Sequence, residues 1–240
     1  MDSSTHKRYH EDNFDSRQHL ESYLSDKADM INTEDVLKFP IENLLKRFTE
    51  GHVKGDILID LSVGSVVHHL FAACSFFKHI IVLKMRDQCI IELKKMGGRT
   101  DQLQDKEGKV RSALQHIVKC NLEKEDIIDP IVLPPADCII SAWLLEIISK
   151  DKDDYIRYLR KFLKLLKPGG HIIIISSLEM TYYTVGNTKF HGLNLDEDFV
   201  RKALVGEGLM IDSCKVKKRT DVNDYIDYKA QIFIAAHKEI

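Results

Sequence analysis

Short aliphatic runs alternate with amphipathic stretches along most of this chain. Residues 1–33 are polar and mixed in sign, with one short helical piece at 18–24 and a helix-capping signal at Asn32-Thr33. They read as a flexible arm. From 34 to 48, Leu37, Ile41, Leu44, Leu45 and Phe48 recur at helical spacing, which predicts an amphipathic helix. Pro40 kinks or divides it, and Gly51 ends it. Aliphatic runs at 56–61, 79–83, 117–120, 136–141 and 171–175 have the length and composition of buried parallel strands. Helical patterns at 66–74, 87–96, 110–116 and 153–166 separate them, together with a polar loop at 99–108. Lys167-Pro-Gly-Gly170 reads as a hard stop before the fifth strand. A strand pair turning at Gly186-Asn187, a helix at 196–206 and two strands at 209–216 and 230–236 complete the pattern, the last two joined by a polar connection at 221–228.

This alternation predicts an α/β fold: a parallel sheet with helices on both faces, finished by an antiparallel hairpin. In such sheets ligands bind beyond the carboxyl ends of the strands. Function is therefore expected in the turns after Leu61, Leu83, Cys120, Ser141 and Ile175.

The 240 residues fit one large domain, 34–240, behind a lid-like arm. Hydrophobic residues at 44% exclude disorder over most of the length. A formal net charge of -2 argues against a dedicated nucleic-acid binder. No apolar run is long enough to span a bilayer. Residues 1–14 lack the apolar segment of a secretory signal. Five scattered cysteines with no C-x-x-C pair read as reduced thiols of a cytoplasmic protein. No H-E-x-x-H spacing occurs, and the adjacent His68 and His69 point ~100° apart on a helix and cannot form one metal face, so no metal site is expected.

Certain phrases are more specific. Lys54-Gly-Asp-Ile-Leu-Ile-Asp60 precedes the first turn, and Leu133-Pro-Pro-Ala-Asp-Cys-Ile-Ile-Ser141 opens the fourth strand. Leu165-Leu-Lys-Pro-Gly-Gly170 precedes the fifth, and Tyr182-Tyr183, Val185-Gly186 and Lys189-Phe190 follow it. Together, from about Phe14 onward, they resemble the nicotinamide, indolethylamine and phenylethanolamine N-methyltransferases, most closely the first two. The resemblance implies a class I, Rossmann-like methyltransferase fold with a seven-stranded sheet, S-adenosylmethionine as cofactor, a small-molecule amine as substrate, and a monomer. It offers no nucleic-acid or membrane partner.

The resemblance also implies site positions, and most of them are substituted. The Gly-x-Gly turn aligns with Ser62, Val63 and Gly64, keeping one glycine. Lys84 stands where an acid takes the ribose hydroxyls. An ammonium has no acceptor, and it brings positive charge to a pocket for a cationic cofactor. Asn121, followed by Leu122, stands at the adenine-binding Asp, Ala142 at a Thr, and His68 at a hinge Tyr. The arm's two tyrosines align with His19 and Leu24, with Tyr23 kept between them. On the substrate side Ser176 replaces an acid, beside Ser177 and Tyr183. The segment 93–110 is shorter than the family's. An intact apolar pattern with altered site residues gives two expectations: a weakened or re-specialised amine N-methyltransferase, or a pseudoenzyme acting as a binding protein. A dinucleotide oxidoreductase fits poorly, because Lys84 and the broken glycine turn serve that fold equally badly.

Overall fold

The computed structural model describes residues 6–9, 13–24, 34–97, 116–220 and 223–239. The cap at Asn32-Thr33, the loop at 99–108, nearly all of the helix at 110–116 and most of the shortened segment 93–110 lie outside these residues.

A seven-stranded sheet forms the centre, in the order β3-β2-β1-β4-β5-β9-β8. The strands are β1 (Ile57–Asp60), β2 (His79–Lys84), β3 (Ile117–Lys119), β4 (Ala136–Ala142), β5 (Leu166–Leu178), β8 (Leu209–Lys218) and β9 (Ala230–Lys238). Strands β1 to β5 run parallel, and β9 enters antiparallel between β5 and β8. A separate two-stranded ribbon pairs β6 (Tyr182–Val185) with β7 (Thr188–His191), across the turn expected at Gly186. The central strands are aliphatic on both faces, as a sheet covered on both sides requires. Leu58, Ile59, Ile139, Ile140 and Ile172 to Ile175 are all buried.

The covering helices are α1 (Ser16–Leu24), α2 (Phe39–Thr49), α3 (Leu70–Ala73), α4 (Asp87–Gly97), α5 (Leu145–Ile148), α6 (Lys152–Leu163) and α7 (Glu197–Gly206). A π-helical turn, Glu34–Lys38, precedes α2, so the expected helix is divided just before Pro40. Asp151 caps α6 by accepting the Asp154 N–H, and Asp196 caps α7 by accepting that of Phe199.

Three expectations need correction. The helix expected at 66–74 shrinks to the single turn α3. Val66 and Leu70 instead donate three residues back, to Val63 and Val67, and Val63 N–H is tied to Ala142 O of β4. Helix α6 stops at Leu163 rather than Leu166, because Leu166 already pairs with Ala136 as the first residue of β5. For the same reason Lys167-Pro-Gly-Gly170 does not precede the fifth strand. It forms the irregular start of that strand, where Gly169 takes a φ of +72° and the register with β4 shifts.

The described part of the arm is packed, not loose. Tyr9 and Phe14 are buried, and Lys7 bridges to β7 through Lys189 and His191. Among the described residues, no helix is long and apolar enough to cross a membrane.

Candidate functional site

The carboxyl ends of β1 and β2 meet in a buried charge cluster. Asp60 ends β1, and its Oδ1 accepts from the Ser62 hydroxyl at 2.7 Å and from His69 Nε2 at 2.6 Å. Lys84 ends β2. Its Nζ donates to the Ser62 carbonyl at 2.7 Å and lies 3.7 Å from Asp60 Oδ2. Burial pushes the Asp60 carboxyl up, but His69, Lys84 and the Ser62 hydroxyl together hold it below its ordinary value. At 2% exposure Lys84 is shut off from water, so its ammonium rests on one hydrogen bond, to the Ser62 carbonyl, and on the Asp60 carboxylate nearby.

The neighbouring turn is also occupied by the chain itself. Gly64 has a φ of +52°, the left-handed region that suits glycine. Its N–H donates to the Tyr9 hydroxyl at 3.0 Å. A Cβ here would stand 3.1 Å from His19 Nδ1 and 3.4 Å from Phe14 Cε1. Tyr9, Phe14, His19 and Tyr23 form a continuous aromatic row with ring centroids 4.6 to 5.1 Å apart. Burial, with Lys84 nearby, lowers the His19 pKa to about 3, so its ring is neutral. The Tyr23 hydroxyl donates to Thr184 O at 2.7 Å, tying α1 to the β6–β7 ribbon.

Beyond β4 and β5 lies a pocket with about 680 Å³ of empty space counted out to its mouth. Its polar floor comes from a residue that the sequence reading missed. Glu146, in α5, is buried, and its Oε1 accepts from Ser177 N–H at 2.9 Å. Its Oε2 has no hydrogen-bond partner. Burial raises this carboxyl to about 7 despite the Ser177 hydrogen bond. Trp143 forms one wall in a left-handed conformation, φ 50°, which costs a bulky residue about 1–3 kcal/mol. Two bonds hold it there: its N–H to Ile175 O at 2.8 Å, and its indole N–H to Gln231 Oε1 at 2.8 Å. Gln231 in turn donates to the Ser177 hydroxyl at 2.9 Å. Tyr183 stacks on Phe190 and presents a buried hydroxyl with no partner, its pKa raised by burial. His68 faces Trp143 at 5.8 Å, and burial lowers its pKa to about 3.

The pocket therefore gathers Val63, His68, Ser177 and Tyr183 among the residues singled out in the sequence, with His19 and Tyr23 from the arm. It does not gather the others. Ser62 and Lys84 are sealed into the charge cluster. Asn121 is exposed, its Oδ1 accepting the Glu123 N–H at 2.9 Å, and Leu122 is buried with its carbonyl bonded to Lys161. Ala142 is buried under the turn. Ser176 is fully buried and lies outside the pocket lining, with its hydroxyl beside the Glu146 carboxyl, which does line the pocket. A lone acid inside the apolar run Trp143-Leu-Leu-Glu146-Ile-Ile148 was the available signal. It implies either an exposed face or a buried carboxyl with a task.

Donor chemistry tests whether a nucleoside sulfonium fits. Its ribose hydroxyls need an acceptor at the end of β2, and Lys84 supplies only donors. The remaining carboxylate, Asp60, spends Oδ1 on Ser62 and His69, and its Oδ2, which has no hydrogen-bond partner, is fully buried 3.7 Å from Lys84 Nζ. The turn N–H of Gly64 is taken by Tyr9. The residues present do not fit the group. The pocket itself pairs aromatic walls, Trp143 and Tyr183, with the Glu146 carboxyl, whose Oε2 has no hydrogen-bond partner.

The model of the NNMT/PNMT/TEMT family matches residues 2–96 and 88–239. Indolethylamine N-methyltransferase of Mus musculus is 28% identical over 249 residues, covering 95% of this chain and 94% of that protein. Nicotinamide N-methyltransferase of Homo sapiens is 32% identical over 219 residues, covering 83% of each. Among solved structures, a SAM-dependent methyltransferase from Methanosarcina mazei superposes with a TM-score of 0.61 at 13% identity, covering 80% of this chain and 97% of that one. The N-methyltransferase NodS of Bradyrhizobium japonicum, in complex with S-adenosyl-L-homocysteine, gives 0.58 at 12% identity, covering 94% and 99%. These structural likenesses show the fold, that of class I Rossmann-like methyltransferases.

Proposed function

Because this chain belongs to the NNMT/PNMT/TEMT family, we propose that it is an amine N-methyltransferase homologue that keeps the amine side of the site and has weak or no methyl transfer. The observation that carries this reading is the buried cluster of Lys84, Asp60, Ser62 and His69 at the ends of β1 and β2. An ammonium there repels a sulfonium and leaves ribose hydroxyls without an acceptor. Each lost charge-assisted contact costs ~1.5–3 kcal/mol. Loss of the acid, crowding by Val63 and the changed arm aromatics together amount to ~4–6 kcal/mol, or about three to four decades of affinity.

The chain then acts as a methyltransferase-fold binding protein for a small flat amine, held between Trp143 and Tyr183 with its nitrogen at Glu146. The alternative is a working but weakened enzyme, and the intact pocket favours it as far as substrate binding goes. We place the protein in the cytoplasm as a monomer, without nucleic-acid or membrane partners. The test is calorimetric titration with S-adenosylmethionine and S-adenosylhomocysteine, beside titration with nicotinamide and tryptamine. Amine binding without cofactor binding supports the binding-protein reading. Micromolar cofactor binding with turnover supports the enzyme.

A further inference from the structure

At the opposite end of the sheet, three strands bring together side chains that are far apart in sequence. His171 lies in β5 and His237 in β9, and they are direct register partners. Asp212 lies in β8 where the register with β9 shifts between Ile211 and Ser213. It is the extra residue of a β-bulge, a device that re-aims a side chain. Its Oδ1 stands 2.7 Å from His237 Nδ1 and its Oδ2 stands 3.4 Å from His171 Nδ1. One ligand atom from each residue lies within 4.8 Å of the other two. His171 Nδ1 is buried and makes no hydrogen bond, although it points into the cluster. The three residues line an open hollow with Arg47 and His52 that shares no residue with the amine pocket.

We propose that His171, Asp212 and His237 form a binding site for a divalent first-row transition cation of the zinc type. The donor set is two imidazoles and one carboxylate, which suits zinc and excludes the all-oxygen preference of magnesium and calcium. With metal–ligand bonds of about 2.0–2.2 Å, tetrahedral ligands stand roughly 3.4 Å apart. The Asp212 Oδ2–His171 Nδ1 distance, 3.4 Å, matches that spacing, and the Asp212 Oδ1–His237 Nδ1 distance, 2.7 Å, is that of a hydrogen bond which an ion would replace. A fourth position faces the hollow, where water completes the shell. An ion here would pin β5, β9 and β8 together. The Arg47 guanidinium, 3.7 Å from Asp212 Oδ2, is the competing cation. It sets the affinity below that of a closed structural site.

Sequence spacing could not show this site, because its members lie 41 and 25 residues apart (212−171 and 237−212). The test uses the untagged full chain after dialysis against a chelator. Zinc chloride is titrated calorimetrically, cobalt chloride is followed by visible absorption, and magnesium chloride serves as control. The expected result is one equivalent of zinc, a four-coordinate cobalt spectrum, a raised melting temperature and no magnesium heat. His171→Ala, His237→Ala and Asp212→Asn should each weaken zinc at least about tenfold, since even a lost supporting partner costs that much. Arg47→Gln should tighten it. Cooperative melting of Asp212→Asn, which keeps the side-chain shape, ensures that the loss is not one of folding. Absence of saturable zinc binding, or undiminished binding in the His171→Ala/His237→Ala double variant, would overturn the proposal.

Discussion

Lys84 and Glu146 are two buried ionisable groups that give the site its character, and each predicts a measurement. Removing Lys84 leaves Asp60 buried with His69 as its sole ionisable partner. Uncompensating a buried pair typically costs about 3–5 kcal/mol. Lys84→Met should therefore lower urea-unfolding stability by roughly that amount. A change below about 1 kcal/mol would mean that the pair is not under strain to stay together. Glu146 acts through pH. Its folded-state pKa, about 7, lies above the unfolded value of 4.5. The folded state therefore binds more protons, and the stability that this group contributes is present below pH 4.5 and lost as pH rises through 7. The upper limit is about 3 kcal/mol. His19 and His68 have the opposite sign: their folded values, about 3, lie below the usual 6.5, so stability falls as pH drops below 6.5. The difference between wild type and Glu146→Gln isolates the carboxyl. It should shrink between pH 5 and 7.5 as the wild type loses its advantage. A pH-independent difference would place the Glu146 pKa outside that window. Lys84 was legible in the sequence because it stands at the end of a readable strand. Glu146 was not, because a carboxyl within an apolar run gives no sign of which way it faces until Ser177 N–H is seen to meet it.

Among the elements, the strands were the legible part. Ile-rich runs bounded by Gly and Asp carry their own boundaries, and β1, β2, β4 and β9 fall close to where the pattern puts them. The misread elements are those in which tertiary pairing overrides local pattern. Val66 and Val67 read as helix but are buried in a turn against β4, and Leu166 reads as the last helical residue but pairs with Ala136. The packing of the arm's described residues was not legible for a different reason. Its anchoring comes from single aromatic residues, Tyr9 and Phe14, which no periodicity announces. Tyr9 gives the arm's contribution a test. Tyr9→Phe keeps the ring and removes the acceptor of Gly64 N–H, leaving a buried donor unpaired. Such a loss costs about 1–3 kcal/mol. Thermal melting should show that drop without loss of cooperativity. An unchanged melting temperature would mean that the hydroxyl does not hold the turn. The cap of α6 offers an independent measure of helix contribution: Asp151→Ala should cost about 1 kcal/mol, as exposed N-caps do, in the same assay.

At the scale of the whole molecule, the sheet order and the antiparallel β9 place the pocket and the charge cluster at one end, and the two-histidine cluster at the other. On the proposed reading, the fold is kept while one half of its ligand site is rebuilt from internal side chains. That is physically coherent: the apolar strands need no cofactor to pack, and a buried lysine needs acceptors that the old ribose-binding end can supply. The rebuilt half was readable as substitutions, at Ser62, Val63 and Lys84. Its closure by Tyr9, Phe14 and His19 was visible only in three dimensions. Both facts bear on a single measurement, the calorimetric titration of S-adenosylmethionine into wild type, Ser62→Gly, Lys84→Asp and the double variant. If Lys84 closes the cofactor end, the wild type shows no saturable binding short of millimolar concentrations. Lys84→Asp then tightens binding more than Ser62→Gly, and the double variant most of all. Saturable binding by the unmodified protein at micromolar concentration, or a Lys84→Asp variant no tighter than wild type, would contradict that account.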